Sequence, residues 1–286
     1  MTAQPSAPRR ESAPRPPAVT GEDPLTTRAR LTWTAGDFHQ IARGFEVEAE
    51  AFIARLALRR GERVLDVACG TGNLTLPAAR AGAVVTGLDI APNLLATLRQ
   101  RADAEGTRVA LDEGNAEALP YADGQFDTVV SMFGVMFAAR PERALAELLR
   151  VTRPGGRIAL ANWTREGLVG EMLRLHVARV PAPPGVPSTL LWGDEAVVRE
   201  RFGPGVSALG QARRMLQFDY PHAPAGVAEL FRECYGPTVR TFAAIDPDAR
   251  AELSAELAGL WARANTAEGR ATRAAAEYLE VIAVRA

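Results

Sequence analysis

Apolar strand-like runs alternate with helix-like segments over residues 63–164, and this alternation limits the fold more than any other feature of the sequence. The runs are rich in branched apolar residues, which is typical of parallel strands buried on both faces. The pattern predicts strands at 63–68, 83–90, 108–116, 126–133 and 155–164, with helices at 73–82, 93–106 and 141–152. The expected class is therefore a doubly wound α/β fold.

Acidic, amide and small residues follow four of these strands where each strand ends. In doubly wound sheets, ligands bind outside the carboxyl ends of the strands, so these residues are expected to meet along one rim. Glycine lets the backbone come close to a ligand, and Asp89 is placed to accept hydrogen bonds from two ribose hydroxyls. The rim therefore predicts a nucleoside site. Its residues are Asp66, Gly70 and Gly72 after the first strand, Asp89 after the second, 115–117 after the third and 131–133 after the fourth.

A dinucleotide enzyme would use the same edge of the sheet. One loop position distinguishes a dinucleotide site from a nucleoside site. The dinucleotide fingerprint G-x-G-x-x-G needs a third glycine for close helix packing beneath the pyrophosphate. Here that position is Thr75, and Asn73 directly follows the second glycine. The loop favours a nucleoside over a pyrophosphate, and a dehydrogenase is the weaker alternative.

Composition excludes several classes of function. All 33 basic residues are arginine, so a Schiff-base lysine and a P-loop lysine are both ruled out. The formal net charge of -1 argues against nucleic acid as the main partner, because phosphate binding needs clustered positive charge. Cys69 and Cys234 have no second cysteine or histidine at metal-ligand spacing, so we expect no metal site and a reducing, cytoplasmic location.

The ends of the chain complete the expected organisation. Residues 1–24 hold six prolines and no hydrophobic segment, which predicts a disordered tail rather than a signal peptide. No apolar run is long enough to span a membrane. Apolar positions at helical spacing predict one amphipathic helix over 38–58.

Four motifs in order resemble those of the class I S-adenosylmethionine-dependent methyltransferases. They are VLDVACGTGN (64–73), VTGLDIAPNLL (85–95), EGNAEALPYADGQFDTVVSMFGVMF (113–137) and ELLRVTRPGGRIALANW (147–163). The resemblance covers about 38–164 and is greatest to the small-molecule branch that includes the ubiquinone and menaquinone C-methyltransferases. It implies S-adenosylmethionine as cofactor and S-adenosylhomocysteine as product.

The resemblance also implies roles for residues of the rim. Asp89 would hold the ribose diol, Ile90 would pack on adenine, and Asn115 with Ala116 would bind the adenine edge. An aspartate often stands in the family where this chain has Asn115, whose oxygen can still accept a hydrogen bond. The full set of predicted cofactor residues is Asp66, Ala68, Gly70, Gly72, Asn73, Asp89, Ile90, Asn115, Ala116, Glu117, Ser131, Met132 and Phe133.

The second half of the chain completes the expected domain. Helix patterns at 165–180 and 194–202 lead to a strand pattern at 212–220, then to two or three helices and a final strand at 277–286. The family resemblance implies a seven-stranded Rossmann-like sheet of order 3-2-1-4-5-7-6 with an antiparallel last strand. We divide the chain into a tail (1–24), an amino-terminal helical cap over the cofactor (25–60), the cofactor-binding core (61–164), and a helical lid with the closing hairpin (165–286).

Aromatic and methionine residues near the rim indicate an apolar or aromatic small-molecule acceptor. Strand four is followed by SMFGVMF rather than by the Asn- or Asp-Pro-Pro-aromatic motif of DNA and protein N-methyltransferases. The expected reaction moves a methyl group in line to oxygen or carbon of the acceptor. The candidate lining residues are Trp33, Phe38, Met136, Phe137, Trp163, Trp192 and Tyr235.

A general base is needed only if the acceptor must lose a proton, and His39 is the first candidate because it lies in the predicted cap. Two alternatives to methyl transfer stay open. The chain could bind the cofactor without turnover, or it could use the bound cofactor in a rearrangement that produces no S-adenosylhomocysteine. Either a monomer or a homodimer is compatible with the sequence.

Overall fold

The computed structural model describes residues 23–286, so the prediction for the tail 1–24 lies almost entirely outside the described residues. Seven strands form one sheet of order β3-β2-β1-β4-β5-β7-β6, which confirms the predicted topology. The strands are β1 (Arg63–Val67), β2 (Val84–Asp89), β3 (Ala110–Glu113), β4 (Phe126–Met132), β5 (Thr152–Trp163), β6 (Val206–Tyr220) and β7 (Thr272–Arg285).

The directions of the strands bring their ends together as a doubly wound sheet requires. Strands β3, β2, β1, β4 and β5 pair in parallel, with Val64 opposite both Val85 and Thr128. Strand β7 runs antiparallel to both β5 and β6, so β6 points the same way as β5. Four consecutive residues of β1 are buried, and since neighbours point to opposite faces, both faces of the sheet are covered.

Eleven α-helices within residues 23–286 cover this sheet and its rim. They are α1 (Pro24–Trp33), α2 (Phe38–Ala42), α3 (Glu46–Leu56), α4 (Thr75–Arg80), α5 (Pro92–Ala104), α6 (Pro141–Val151), α7 (Leu168–Arg179), α8 (Glu195–Phe202), α9 (Pro224–Cys234), α10 (Gly236–Ala244) and α11 (Pro247–Ala264). No helix in this part of the chain combines the length and the apolar composition that crossing a membrane requires.

The amino-terminal segment differs from its predicted form in two ways. The single helix expected over 38–58 is broken, because a 3₁₀ turn at Arg43–Phe45 separates α2 from α3. At that turn Gly44 lies against Tyr220, and a Cβ on Gly44 would stand 2.5 Å from the tyrosine hydroxyl. Helix α1 lies within the predicted helical cap (25–60), but no bounds were predicted for it as a separate helix. Its signals are local, since the Asp23 side chain accepts a hydrogen bond from the Thr26 amide and Pro24 occupies the first turn.

Helix α1 lies where it does because two backbone segments come into direct contact. A Cβ on Gly236, at the start of α10, would stand 2.1 Å from the Thr32 carbonyl oxygen. A Cβ on Gly36 would stand 2.6 Å from the Cys234 carbonyl oxygen at the end of α9. Glycine at these two positions therefore lets the amino-terminal segment pack tightly onto α9 and α10.

Gly72 gives a test of the packing behind the rim. Its φ is +95°, and an added Cβ would stand 2.1 Å from Cδ1 of the buried Leu98. We expect Gly72→Ala to lower the free energy of unfolding by about 2–4 kcal/mol, since strain and overpacking add. Chemical denaturation measures the change.

Gly61→Ala is the matched control. Gly61 has a φ of +79°, but a Cβ there meets no atom within 4 Å. We expect Gly61→Ala to lower the free energy of unfolding by about 1 kcal/mol, because it adds backbone strain but no overpacking. Equal losses in the two variants would show that contact with Leu98 contributes nothing.

Candidate active site

A cleft of about 960 Å³, open at its mouth, lies at the carboxyl ends of β1, β2 and β4. We call it the rim cavity. All but two of the predicted cofactor residues line it, namely Asp66, Ala68, Gly70, Asn73, Asp89, Ile90, Asn115, Ala116, Glu117, Met132 and Phe133.

The loop after β1 is held in an uncommon conformation by the carboxylate that ends β2. One Asp89 oxygen accepts a hydrogen bond from the Gly70 amide at 2.7 Å, and the other accepts from the Ala91 amide at 2.9 Å. Ala68 and Phe133 line the cavity with φ values of +55° and +54°, which are costly for residues with a Cβ. Such strain persists only where neighbours enforce it, and here it lies at the wall of the cavity.

Two buried carboxyl groups dominate the electrostatics of the rim cavity. Burial raises the pKa of Asp66 to about 7, although the Thr75 hydroxyl donates a 2.6 Å hydrogen bond to it. Burial likewise raises the pKa of Asp89 to about 6. No arginine or histidine among residues 23–286 lines the cavity. A cationic ligand would favour the ionised form of both groups, whereas a pyrophosphate would be repelled.

A third acid in the cavity already has a partner. Arg140 donates hydrogen bonds of 2.8 Å to Glu117 and to Asp23, the residue that begins α1. The Arg140 amide also donates to Glu117 at 2.9 Å. Glu117 is therefore neutralised by the arginine that ties α1 to the core, and the uncompensated acids are Asp66 and Asp89.

Helix α1 forms one wall of the cavity; the sequence predicted a helical cap over the cofactor at 25–60 and named Trp33 in it, but it did not identify the three α1 residues that follow. Leu25, Thr26 and Ala29 line it. The Asn115 Nδ2 donates to the Thr26 hydroxyl at 3.0 Å, while its Oδ1 accepts from the Glu117 amide at 2.9 Å. Arg30 donates to the Ile90 carbonyl at 2.8 Å and pairs with Glu113. The side-chain amide of Asn115, which was predicted to bind adenine, therefore holds α1 in place through Thr26.

A second, smaller cavity of about 310 Å³ has walls made entirely of apolar and aromatic residues, and we call it the aromatic cavity. The rings of Phe133 and Trp163 stack at 3.5 Å and 6° on one of its walls. Trp33, Phe38, Phe45 and Phe133 line both cavities, so the two are neighbours. The other lining residues are Ile41, Trp163, Val169, Phe218, Phe231 and Tyr235.

Five predicted site residues lie outside the lining of both cavities. Gly72 packs under the loop against Leu98. Ser131 donates to the Val67 carbonyl at 2.7 Å and accepts from the Val135 amide at 3.0 Å, so it fixes the loop after β4. Met136 is fully buried in the core, and Trp192 packs beneath the Arg201 guanidinium at 4.9 Å.

His39 is the fifth of these residues. Its Nδ1 lies 3.4 Å from the hydroxyl of Thr71, a residue that lines the rim cavity. Partial burial lowers the pKa of His39, with a smaller contribution from Arg101, so the neutral ring is favoured near pH 7. His176 and His222 also lie outside both linings.

The remaining predicted acceptor residues divide between the cavities. Trp33 and Phe38 line both, Phe137 lines the rim cavity, and Trp163 and Tyr235 line the aromatic cavity. Phe218 and Phe231 were missed, although the period-two pattern of LQFDY places Phe218 and Tyr220 on one face of a strand. No cluster of three or more potential metal ligands occurs within residues 23–286.

Comparison with known proteins fits this geometry. The Methyltransferase domain family matches residues 65–160. An uncharacterized protein of Mycobacterium tuberculosis is 39% identical over 248 residues, which cover 85% of this chain and 90% of that protein. The YcgJ protein of Bacillus subtilis shares the fold, with a TM-score of 0.56 at 18% identity over 83% of this chain and 98% of that one.

A demethylmenaquinone methyltransferase of Thermus thermophilus is 42% identical over 130 residues, or 44% of this chain and 59% of that protein. The chain belongs to the class I S-adenosylmethionine-dependent methyltransferases. Its cofactor is S-adenosylmethionine. Of the residues that line the aromatic cavity of this methyltransferase, only Phe133 falls within the matched range 65–160.

The rim cavity suits this cofactor by charge and by its hydrogen-bonding groups. S-adenosylmethionine carries a sulfonium, an ammonium and a carboxylate, so its net charge is positive, and the cavity holds two uncompensated buried carboxyl groups. Each Asp89 oxygen accepts one backbone hydrogen bond and keeps a lone pair for a ribose hydroxyl. Asp66 would offset the positive charge, and Ile90 and Leu94 offer apolar surface for the base.

The variant Asp66→Asn tests the role of this carboxylate, because we expect it to raise thermal stability and to lower affinity for the cofactor. Its pKa is raised from 3.8 to about 7, so the ionised carboxylate destabilises the ligand-free protein, and the free energy of unfolding falls as pH rises through that window. We expect Asp66→Asn to raise Tm at pH 8 by at least about 2–4 °C. Its affinity for S-adenosylmethionine should fall at least about tenfold.

Asp127→Asn is the matched control for the stability arm. The Arg63 guanidinium holds the pKa of Asp127 below its usual range, so its ionised form stabilises the fold. Asp127→Asn should therefore lower Tm at pH 8. Calorimetry measures Tm for both variants. If Asp66→Asn also lowers Tm, ionised Asp66 does not destabilise the fold.

Proposed function

We propose that the methyltransferase moves a methyl group to oxygen or carbon of an apolar, aromatic small molecule bound in the aromatic cavity. The observation that carries the proposal is the composition of that cavity, whose walls are eight aromatic and two aliphatic side chains, with no charged side chain from residues 23–286. Stacking and edge contacts with such walls favour a planar ring. A polar or charged acceptor would lose its hydration there without gaining partners.

The position of the aromatic cavity supports the same acceptor. It shares four wall residues with the rim cavity, so a ring held in it lies beside the cofactor site. Phe133 stacks on Trp163 and contacts Phe45 edge-on at 5.5 Å, which gives the shared wall a fixed shape. The similar Thermus protein is named for demethylmenaquinone, a name that points to an aromatic acceptor.

The chain has a limited task in the reaction, because S-adenosylmethionine supplies an activated methyl group when it is bound. Asp89 and the loop after β1 fix the ribose, and the aromatic walls orient the acceptor ring. Trp33 and Phe38 cover the junction of the two cavities and exclude water. We assign no general base, since an electron-rich carbon or an ionised phenol accepts a methyl group without one.

Binding of S-adenosylmethionine can be tested at the ribose contact. We expect Asp89→Ala to weaken the affinity at least about tenfold, because two charge-assisted hydrogen bonds are lost. Calorimetric titration with S-adenosylmethionine and S-adenosylhomocysteine measures the change. Asp219→Ala is the control, since Asp219 is 57% exposed and pairs with Arg273. Equal affinities of the wild type and both variants would remove Asp89 from the cofactor site.

Transfer to an acceptor can be separated from binding by filling the aromatic cavity. Val169 is 3% exposed and lines the aromatic cavity but not the rim cavity. With acceptors found by screening aromatic compounds for labelled methyl groups, Val169→Phe should lower kcat/KM at least about tenfold. Its affinity for S-adenosylmethionine should stay within about twofold of the wild type.

Two results would replace the proposal with an alternative. Tight cofactor binding with no labelled product from any aromatic compound would favour a binding protein. A rearranged, unmethylated product without S-adenosylhomocysteine would favour a cofactor-assisted rearrangement. Unchanged turnover in Val169→Phe would place the acceptor outside the aromatic cavity.

A further inference from the structure

One wall residue of the aromatic cavity carries a hydroxyl that the fold does not use. Tyr235 lines this cavity and is 4% exposed. No group within residues 23–286 forms a hydrogen bond with its hydroxyl. Burial raises the pKa of this phenol well above its usual range. The hydroxyl therefore stays protonated and is able to donate a hydrogen bond.

The Tyr235 hydroxyl differs in one respect from other buried polar atoms that lack a partner in this part of the chain. Those atoms, such as the Tyr220 hydroxyl, have no accessible surface, and the Tyr235 hydroxyl is not among them. Because it also lacks a partner, it must keep accessible surface. The side chain as a whole is buried and lines the aromatic cavity, so that surface faces the cavity.

The ring of Tyr235 is held by three rings that line the same cavity. Its centroid lies 5.6 Å from that of Phe231 and 6.0 Å from that of Trp33, with edge-on contact in both pairs. The centroid of Phe38 lies 6.3 Å away. These three rings belong to α9, α1 and α2, so separate elements fix the tyrosine ring. The hydroxyl at the end of that ring therefore has a defined position in the cavity wall.

Packing does not explain why a tyrosine stands at this position. Phe218 and Phe231 line the same cavity without a hydroxyl, and phenylalanine at position 235 would keep the ring contacts. A buried hydroxyl without a partner loses its hydration without compensation. The indole N–H groups of Trp33 and Trp163 are different, because phenylalanine would not replace the area of an indole. The hydroxyl of Tyr235 is thus the polar group of the wall that needs a ligand to explain it.

We propose that the Tyr235 hydroxyl donates a hydrogen bond to an oxygen atom on the acceptor ring and thereby selects oxygenated aromatic rings, such as phenols and aryl ketones. The inference rests on the proposed function and narrows its substrate class. A hydroxyl or carbonyl oxygen on the ring can accept from this neutral donor, whereas a hydrocarbon ring leaves it unpaired. Tyr235 lines the aromatic cavity but not the rim cavity, so it contacts the acceptor rather than the cofactor. It is then a specificity-determining residue.

The experiment compares two probes that differ by one hydroxyl group, 1-naphthol and naphthalene. Full-length protein saturated with S-adenosylhomocysteine is titrated with each probe by calorimetry. We expect the wild type to bind 1-naphthol at least about fivefold more tightly than naphthalene. Tyr235→Phe should reduce this preference to about twofold or less. Its affinities for naphthalene and for S-adenosylhomocysteine should stay within about twofold of the wild type.

Tyr220→Phe is the matched control. Tyr220 is similarly buried, and its hydroxyl also has no partner among residues 23–286, but it lines neither cavity. This variant should keep the full preference for 1-naphthol. Thermal unfolding of the ligand-free variants checks the fold. Both should keep or raise the wild-type Tm, since each removes an unpaired buried hydroxyl.

Failure of the inference and failure of the proposed function give different results. A wild type that binds S-adenosylhomocysteine but neither probe overturns the aromatic acceptor site and with it the proposed function. A wild type that binds both probes equally, or a preference that survives in Tyr235→Phe, overturns the role of Tyr235 alone. Loss of the preference in Tyr220→Phe as well would show a general change in packing and would also overturn that role.

Discussion

Two carboxyl groups are buried in a cavity that no positive side chain of residues 23–286 lines, and this is the constraint on which the active site depends. Asp66 and Asp89 end neighbouring strands, so the sheet brings them together before any ligand binds. Burial raises the pKa of both groups, which makes the empty site a source of instability near neutral pH. We propose that a cationic cofactor relieves that instability and that the site thereby favours a sulfonium nucleoside over a pyrophosphate.

The amino-terminal segment links the cofactor site to the acceptor site. Trp33 and Phe38 line both cavities, and Arg140 and Asn115 hold α1 through Asp23 and Thr26. Displacement of α1 would open both cavities at once, because a single layer covers them. Ordering of this layer around the cofactor would likewise shape the wall that meets the acceptor. Cofactor binding and acceptor binding are thus expected to favour each other.

The core could be predicted from sequence because its signals are local and repeated. Apolar strands, the glycine loop and Asp89 recur at spacings that define one rim, and the topology then brings their ends together. The break at Gly44 was not predicted, and the side chain against which Gly44 packs there, Tyr220, is more than 170 residues away in sequence. Trp192 and Met136 illustrate the opposite error: large apolar residues near a site are as often core as lining.

Different interactions form the two cavities. For this reason the residues of the rim cavity could be predicted from the sequence more completely than those of the aromatic cavity. The rim cavity depends on charge and backbone geometry, which few residue types satisfy, so its sequence signature is narrow. The aromatic cavity depends on shape and dispersion, which many apolar residues supply, and its walls come from segments on either side of the core.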